Sequence, residues 1–535
     1  MKTTKFILFS LIIAQMLTLV SCDDWLELVP ENSVPKSEYW KTKEDVQAAM
    51  TGIYCGMLSS GVSKNMILWG EVRADMMTEG RYVDANYNLI RRGEISSANS
   101  FSNYSSFYSV INNCNLLLKY SDLAYDNDNS FTEKELHQLK AQAIAARSLM
   151  YFYLVRTFSD VPFPLEGYSE NSQKLTIEKT KQSVILDSLS NQLESLRDNN
   201  WIPVNYSNTD AAKNKGYITR YAVDALLADI YLWNNKYEEC IEVCNEIINS
   251  GQFTLIPVEK STVITIDNDT IEYATSAGAE DLFRKLYVDG NSVESIFELQ
   301  FDRDITNPFF GYFVNTSRRS MMPNDEHIKS EIFMPTEKDG VGSVFVDIRQ
   351  SISSKNGYLW KWAGVTYSGT DVYTEEEMRN NLIVYRLAQI YLMKAEALTQ
   401  LGMISGNQNL LNEAYELVKE IRDRAGAVET TDIKKLPNGT IDAGSLEALI
   451  IEEQGRELMF EGKRWFDILR NAKRNDYKNI GYLMQIVPYS VVSDKVYSVK
   501  IKYQNKWSHY LPLPEYDIQN NKLLVQNPFY DTSKK

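Results

Sequence analysis

The residues best equipped for chemistry fall in one short stretch, 78–92, TEGRYVDANYNLIRR. It packs Arg81, Tyr82, Asp84, Asn86, Tyr87 and Asn88 into a few positions. Flat aromatic faces suit the C–H side of a pyranose ring, and planar amide, carboxylate and guanidinium groups suit its hydroxyls. Such a set offers the groups that noncovalent capture of a polyhydroxylated ligand would use, with Tyr312, after Phe309-Phe310-Gly311, as a second candidate. Groups for catalysis are scarce. The three histidines, His137, His327 and His509, are too scattered for a motif such as HExxH. There is no GxSxG, P-loop or GxGxxG, and among 71 acidic residues no spacing singles out a glycosidase pair. Asp126-Asn127-Asp128-Asn129 has a calcium-loop flavour, but its twelfth position is His137 rather than Glu, so a polar turn capping the next helix is expected. No catalytic residue, metal site or cofactor is expected.

The elements that must position these residues are read from periodicity. Residues 216–250 form two antiparallel helices around Asn234-Asn235-Lys236, with Val223, Leu226, Leu227, Ile230 and Tyr231 facing Tyr237, Ile241, Cys244, Ile247 and Ile248. Neither face is buried by one pair alone, so stacked neighbours are required. The arrangement resembles a tetratricopeptide (TPR) repeat. Further helices are expected at 42–58, 101–120, 132–156 (opened by the capping box Thr132/Glu135), 180–196, 380–401, 409–425 and 445–474. Residues 59–100 read as a long loop, and loops of that length are commonly functional. From 251 helical periodicity gives way to short strands such as Ser295–Phe301, and Trp360 and Trp362 alternate as on a strand. The tail to Lys535 reads as irregular. The fold class is thus mostly α, with TPR-like helix pairs (an α-α superhelix) scaffolding an irregular loop and short-strand insertion. The parts are 22–250, 251–379 and 380–535 of one domain, 22–535.

Residues 1–21 are an export signal: Lys2 and Lys5 precede the apolar run Phe6–Val20, and Leu19-Val20-Ser21-Cys22 has the form of a lipobox. Cys22 would become the lipidated first residue, followed by a polar leader, and no later apolar run has transmembrane length. Cys240 and Cys244, one helical turn apart among apolar neighbours, read as packing residues. The net charge of −15 argues against a nucleic-acid partner.

Several stretches converge on one family. Ala145-Ala146-Arg147 through Tyr151-Phe152-Tyr153 to Phe158-Ser159-Asp160-Val161-Pro162, Tyr385-Arg386 with Ala395-Glu396-Ala397, Ile421-Arg422-Asp423-Arg424-Ala425-Gly426, Glu457 with Phe460–Arg470, and Tyr510–Pro514 with Asn527-Pro528 occur in family order. Together with Cys22-Asp23-Asp24 they resemble the SusD/RagB family of outer-membrane glycan-binding lipoproteins. The resemblance implies four TPR-like pairs supporting loops that bind oligo- or polysaccharide at the cell exterior. It also implies a lid-like role on a SusC-like TonB-dependent β-barrel transporter, and no catalysis. The 78–92 loop lies where a starch-binding member carries glycan-contacting Trp residues, which are not matched by Trp here. Two other classes stay open: a TPR-type scaffold binding a protein or peptide, and a surface glycoside hydrolase. Arg386, Glu396, Arg456, Glu457, Glu461 and Arg464 are expected to pair as structural charges between helices.

Overall fold

The computed structural model describes residues 39–169, 176–264, 270–337, 344–345 and 347–531. The export signal, Cys22 and the polar leader lie outside these residues.

The first helix, α1 (Lys43–Leu58), is opened by a Thr42/Asp45 capping box and buries Val46, Met50, Ile53 and Met57 along one stripe. It packs on α4 (Ser105–Asn127), which packs on α5 (Glu133–Phe158), itself opened by the Thr132/Glu135 capping box. The stack continues through α6 (Gln182–Asp198), α7 (Arg220–Trp233), α8 (Tyr237–Asn249), α9 (Leu387–Ser405) and α10 (Gln408–Ala425), each against the one before. The α7–α8 turn is made by Asn235, which takes a positive φ of 59°. Asn tolerates this region better than most residues. Cys240 and Cys244 are buried and unlinked on α8.

Between α1 and α4 the structure departs from the expected loop. Residues Ser60–Glu71 form α2, in which every side chain from Val62 to Glu71 except Lys64 is buried. Gly, Ser and Asn lower the local helix propensity, and tertiary burial overrides it. A short helix, α3 (Ala85–Arg91), follows. Two further expectations are corrected. Residues 380–386 begin not a helix but a strand, β4 (Leu382–Arg386), which pairs antiparallel with β2 (Ser295–Leu299), all ten positions being buried. Trp360 and Trp362 lie on a four-residue helical turn, not a strand, and both indoles are in the core.

The expected helix 445–474 is two helices. α11 (Ala443–Glu457) ends, the chain turns at Phe460 (φ 63°) and Gly462 (φ 76°), and α12 (Arg464–Tyr477) begins. This turn presses on α2: a Cβ on Gly70 would lie 1.9 Å from the Gly462 carbonyl oxygen, and Gly462 N–H donates to Glu71 Oε1 at 2.9 Å. The tail is also more ordered than expected, with α13 (Ile480–Ser490) and α14 (Val496–Tyr503).

Where β4, α10, α11 and this turn meet, the structural charges are paired. Arg386 contacts Glu294 (2.8 Å), Glu457 (2.6 Å) and Glu461 (2.9 Å), while Arg349 reaches Glu453 (2.6 Å) and Glu457 (3.1 Å). Glu396 is held by Arg470 and Arg474. Burial opposes ionisation of Glu461, but Arg386 and Lys361 outweigh it and hold its carboxyl down at about 2.

Candidate functional site

Two stretches more than 240 positions apart in the sequence meet through one small sheet: β1 (Met77–Glu79) pairs antiparallel with β3 (Met321–Pro323), Glu79 opposite Met321. The base of this ribbon is fixed to the core. Asp75 accepts two hydrogen bonds from Arg464, each 3.0 Å, and His327 Nε2 lies 3.0 Å from it. Arg464 thus links the α11–α12 turn to the loop that follows α2. Asp75 is buried, yet Arg464 and His327 hold its carboxyl well below the usual carboxylate range.

Beyond β1 the bonding continues: Gly80 N–H donates to the Ser320 carbonyl (2.8 Å) and Tyr82 N–H to the Arg319 carbonyl (3.1 Å). A side chain at position 80 would meet that Arg319 oxygen at 2.2 Å, so glycine lets the two loops close. Arg81 Nη1 donates to the Thr316 carbonyl at 3.0 Å. The outcome is an exposed Tyr82, with 59% of its surface open, carried on backbone tied to a second loop. Tyr312 belongs to the same second loop, on a π-helical turn Phe310–Val314 whose Phe313 and Val314 anchor in the core. It is half-buried, with Lys64 Nζ 5.7 Å from its ring centroid.

The rest of the 78–92 set does different work. Asp84 caps α3, accepting from Tyr87 N–H at 2.8 Å. Asn86 holds the chain ahead of α4, its Oδ1 accepting from Ser100 N–H and its carbonyl from Asn99 Nδ2, both at 3.0 Å. Tyr87 is a correction: α3 turns its ring into the core at 1% exposure, where it cannot face a ligand, and burial raises its hydroxyl well above the ordinary tyrosine value. Three residues, Arg81, Tyr82 and Tyr312, remain placed on the joined loops.

A profile of the SusD family matches residues 343–530, and a second, described as starch-binding associating with outer membrane, matches residues 24–232. The chain belongs to the SusD family. It is 24% identical to SusD-like protein P38 of Formosa agariphila over 86% of this chain and 90% of that one. Among solved structures, a SusD superfamily protein from Bacteroides vulgatus aligns at a TM-score of 0.70 with 18% identity, over 92% of this chain and all (100%) of the other. Surface glycan-binding protein A from Bacteroides uniformis aligns at 0.67 with 19% identity, over 91% and 100%. At such identities these likenesses speak for the SusD fold, not for a shared ligand.

The residues that carry the SusD resemblance are mostly interior. Arg147, Arg386, Arg424, Glu457 and Arg464 are all buried, and they brace helices and the loop base rather than face solvent. Asp128 of the calcium-like stretch accepts from Ser130 and from Lys43 N–H, capping α1 across the fold.

Sequence reading missed one feature, a cleft of about 1450 Å³. Its walls include Trp40, Tyr104, Tyr108 and Tyr168, with Asn113 from α4 and Asn520 from the C-terminal tail. Aromatic faces and carboxamides are again the chemistry of sugar contact. The Tyr- and Asn-rich run 103–115 was the available signal, hidden because it also reads as an ordinary helix. Tyr108 and Asn112 are bonded to the Pro162 and Tyr168 backbone, so part of that lining is structural.

Proposed function

We propose that this protein is a cell-surface lipoprotein that captures an oligo- or polysaccharide without chemistry and passes it to a SusC-like TonB-dependent outer-membrane transporter. The observation that carries the reading is the exposed Tyr82 ring beside Arg81, on backbone braced by the 316–320 loop. An aromatic platform held rigidly in water costs little entropy on binding and offers a face for stacking. Tyr312 on the same second loop supplies a further aromatic contact. Membership of the SusD family supports the ligand class, as does the matching profile described as starch-binding. The lipobox form of Leu19-Val20-Ser21-Cys22, with Asp23-Asp24 following, supports lipidation at Cys22 and an outer-membrane anchor facing the exterior. The parts 22–250, 251–379 and 380–535 would act as one domain, the helix stack holding the loops over a transporter mouth.

The test is a screen of polysaccharides against the soluble chain beginning at residue 23, with Tyr82→Ala alongside. Binding to one class that weakens about tenfold in a folded variant supports the reading. Binding that persists unchanged moves the site to the Trp40–Tyr168 cleft. Binding to a peptide and to no glycan replaces the reading with the scaffold alternative, and new reducing ends replace it with a hydrolase.

A further inference from the structure

Beneath the joined loops lies a cation that the fold does not neutralise. Arg319 is 2% exposed, and its guanidinium makes no hydrogen bond or ion pair among the described residues; Nε and Nη1 are enclosed without partners. Its one contact of note is the face of Tyr358, 3.9 Å from the guanidinium carbon to the ring centroid. Arg73, equally enclosed and also without a carboxylate, stacks on Trp465 but donates Nη1 to the His509 carbonyl. Arg386 and Arg464 meet carboxylates, and Arg147, which has none, bonds Asn115 and Gln192. A buried charge is costly unless it is paired and hydrogen-bonded. The nearest acid along the ribbon, Glu79, is already paired with Arg91 at 3.3 Å.

The surroundings add to the positive character. Arg318, the preceding residue, is exposed and has no ion pair among the described residues, and Arg81 is exposed with one guanidinium nitrogen given to Thr316. Three arginines therefore sit on the two joined loops that carry Tyr82, in a chain whose net charge is −15. Arg319 Nη2 and Met322 Cε both lie beneath Gly357, 3.4 and 3.1 Å from where a Cβ there would stand, so position 357 adds no side chain of its own over that edge.

We propose that this cluster selects an anionic glycan, one carrying a carboxylate or a sulfate ester, with Arg319 pairing the anion while Tyr82 stacks on the sugar. This rests on the glycan reading of the joined loops and gives that site its ligand class. The exposed Arg318 guanidinium presents two parallel N–H donors that match the two oxygens of either anion, which a neutral sugar cannot reciprocate, while Arg319, with Nε and Nη1 enclosed, has Nη2 to offer. The pairing that the fold leaves open would be completed by the ligand.

The experiment is titration calorimetry on the soluble chain beginning at residue 23. The probes are a polyuronate and a sulfated polysaccharide, each beside its neutral counterpart made by carboxyl reduction or desulfation. The expected result is binding of one charged polymer at least about tenfold tighter than its neutral form, weakening as salt rises. Which polymer binds identifies carboxylate or sulfate. Arg319→Gln and Arg318→Gln should each lower affinity for the charged polymer more than for its neutral form. If Arg319→Gln does not fold, the exposed Arg318→Gln and the comparison between charged and neutral ligands decide alone. Equal affinity for charged and neutral forms overturns the anionic assignment while leaving the glycan reading intact. Failure to bind any polysaccharide, charged or neutral, overturns both.

Discussion

Glu71 shows how one enclosed group sets a measurable property. Burial pushes its carboxyl up to about 8, against the lowering effect of the Gly462 and Lys463 backbone N–H groups. A carboxyl whose folded value is raised contributes stability that is complete below its unfolded value, near 4.5, and is lost as pH rises through about 8. Glu71→Gln should therefore match the parent at pH 5 and exceed it by roughly 1–3 kcal/mol near pH 9, read from denaturant midpoints at both pH values. A variant that loses equally at both would show Glu71 to be ionised in the fold. Tyr82 and Tyr87 make the complementary pair. Tyr87→Ala should cost about 3–5 kcal/mol by leaving a core cavity, whereas Tyr82→Ala should leave the unfolding midpoint unchanged. Sequence gave these two tyrosines the same reading because composition marks a stretch, not a direction. Only α3, capped by Asp84, decides which ring turns inward. Tyr312 kept its place for the converse reason: its neighbours Phe313 and Val314 take the core positions.

Among the elements, the least legible were those whose partner is remote in sequence. The α7–α8 pair and α5 carry their own periodicity and caps, and both were readable. β4 was not, because Leu382–Arg386 is uniformly apolar up to its arginine and its strand character comes from pairing with β2, some 87 positions earlier in the register Leu382 to Leu299 gives way to Arg386 opposite Ser295. The break after α11 was hidden likewise, since the contact of Gly462 with Gly70 joins two distant helices. Gly70→Ala should be among the more damaging single-methyl changes, costing several kcal/mol because the obstacle is backbone, about 3 or more by thermal or denaturant unfolding. A cost below about 0.5 kcal/mol would mean that α2 and the turn separate freely. The charge network at the same junction was expected as structural pairing, and its energetics are testable. Arg386→Met removes the cation shared by Glu294, Glu457 and Glu461, leaving them to Arg424, Arg349 and Lys361, and should destabilise by about 3–5 kcal/mol. Glu461 and Glu453 are both held near 2, so their contribution is present above the unfolded value near 4.5 and is lost as pH falls toward 2. Acid titration of the parent should show cooperative unfolding in that window, with a midpoint moved to higher pH in Arg386→Met.

At the scale of the molecule, a stack of helices holds two loops from distant parts of the sequence at one small ribbon, and the proposed binding surface is formed where they join. That explains why the family and the helical architecture were legible in short motifs while the site was legible only in part. Motifs record the buried charges that brace the scaffold, and loops carry whatever ligand is recognised. The most direct measurement is affinity of the soluble chain beginning at residue 23 for a polysaccharide panel, comparing parent, Tyr82→Ala and Tyr108→Ala. The joined-loop account predicts one glycan class bound by the parent, about tenfold weaker in Tyr82→Ala and undiminished in Tyr108→Ala. The reverse pattern, loss only in Tyr108→Ala, or no glycan binding by a folded parent, would contradict it.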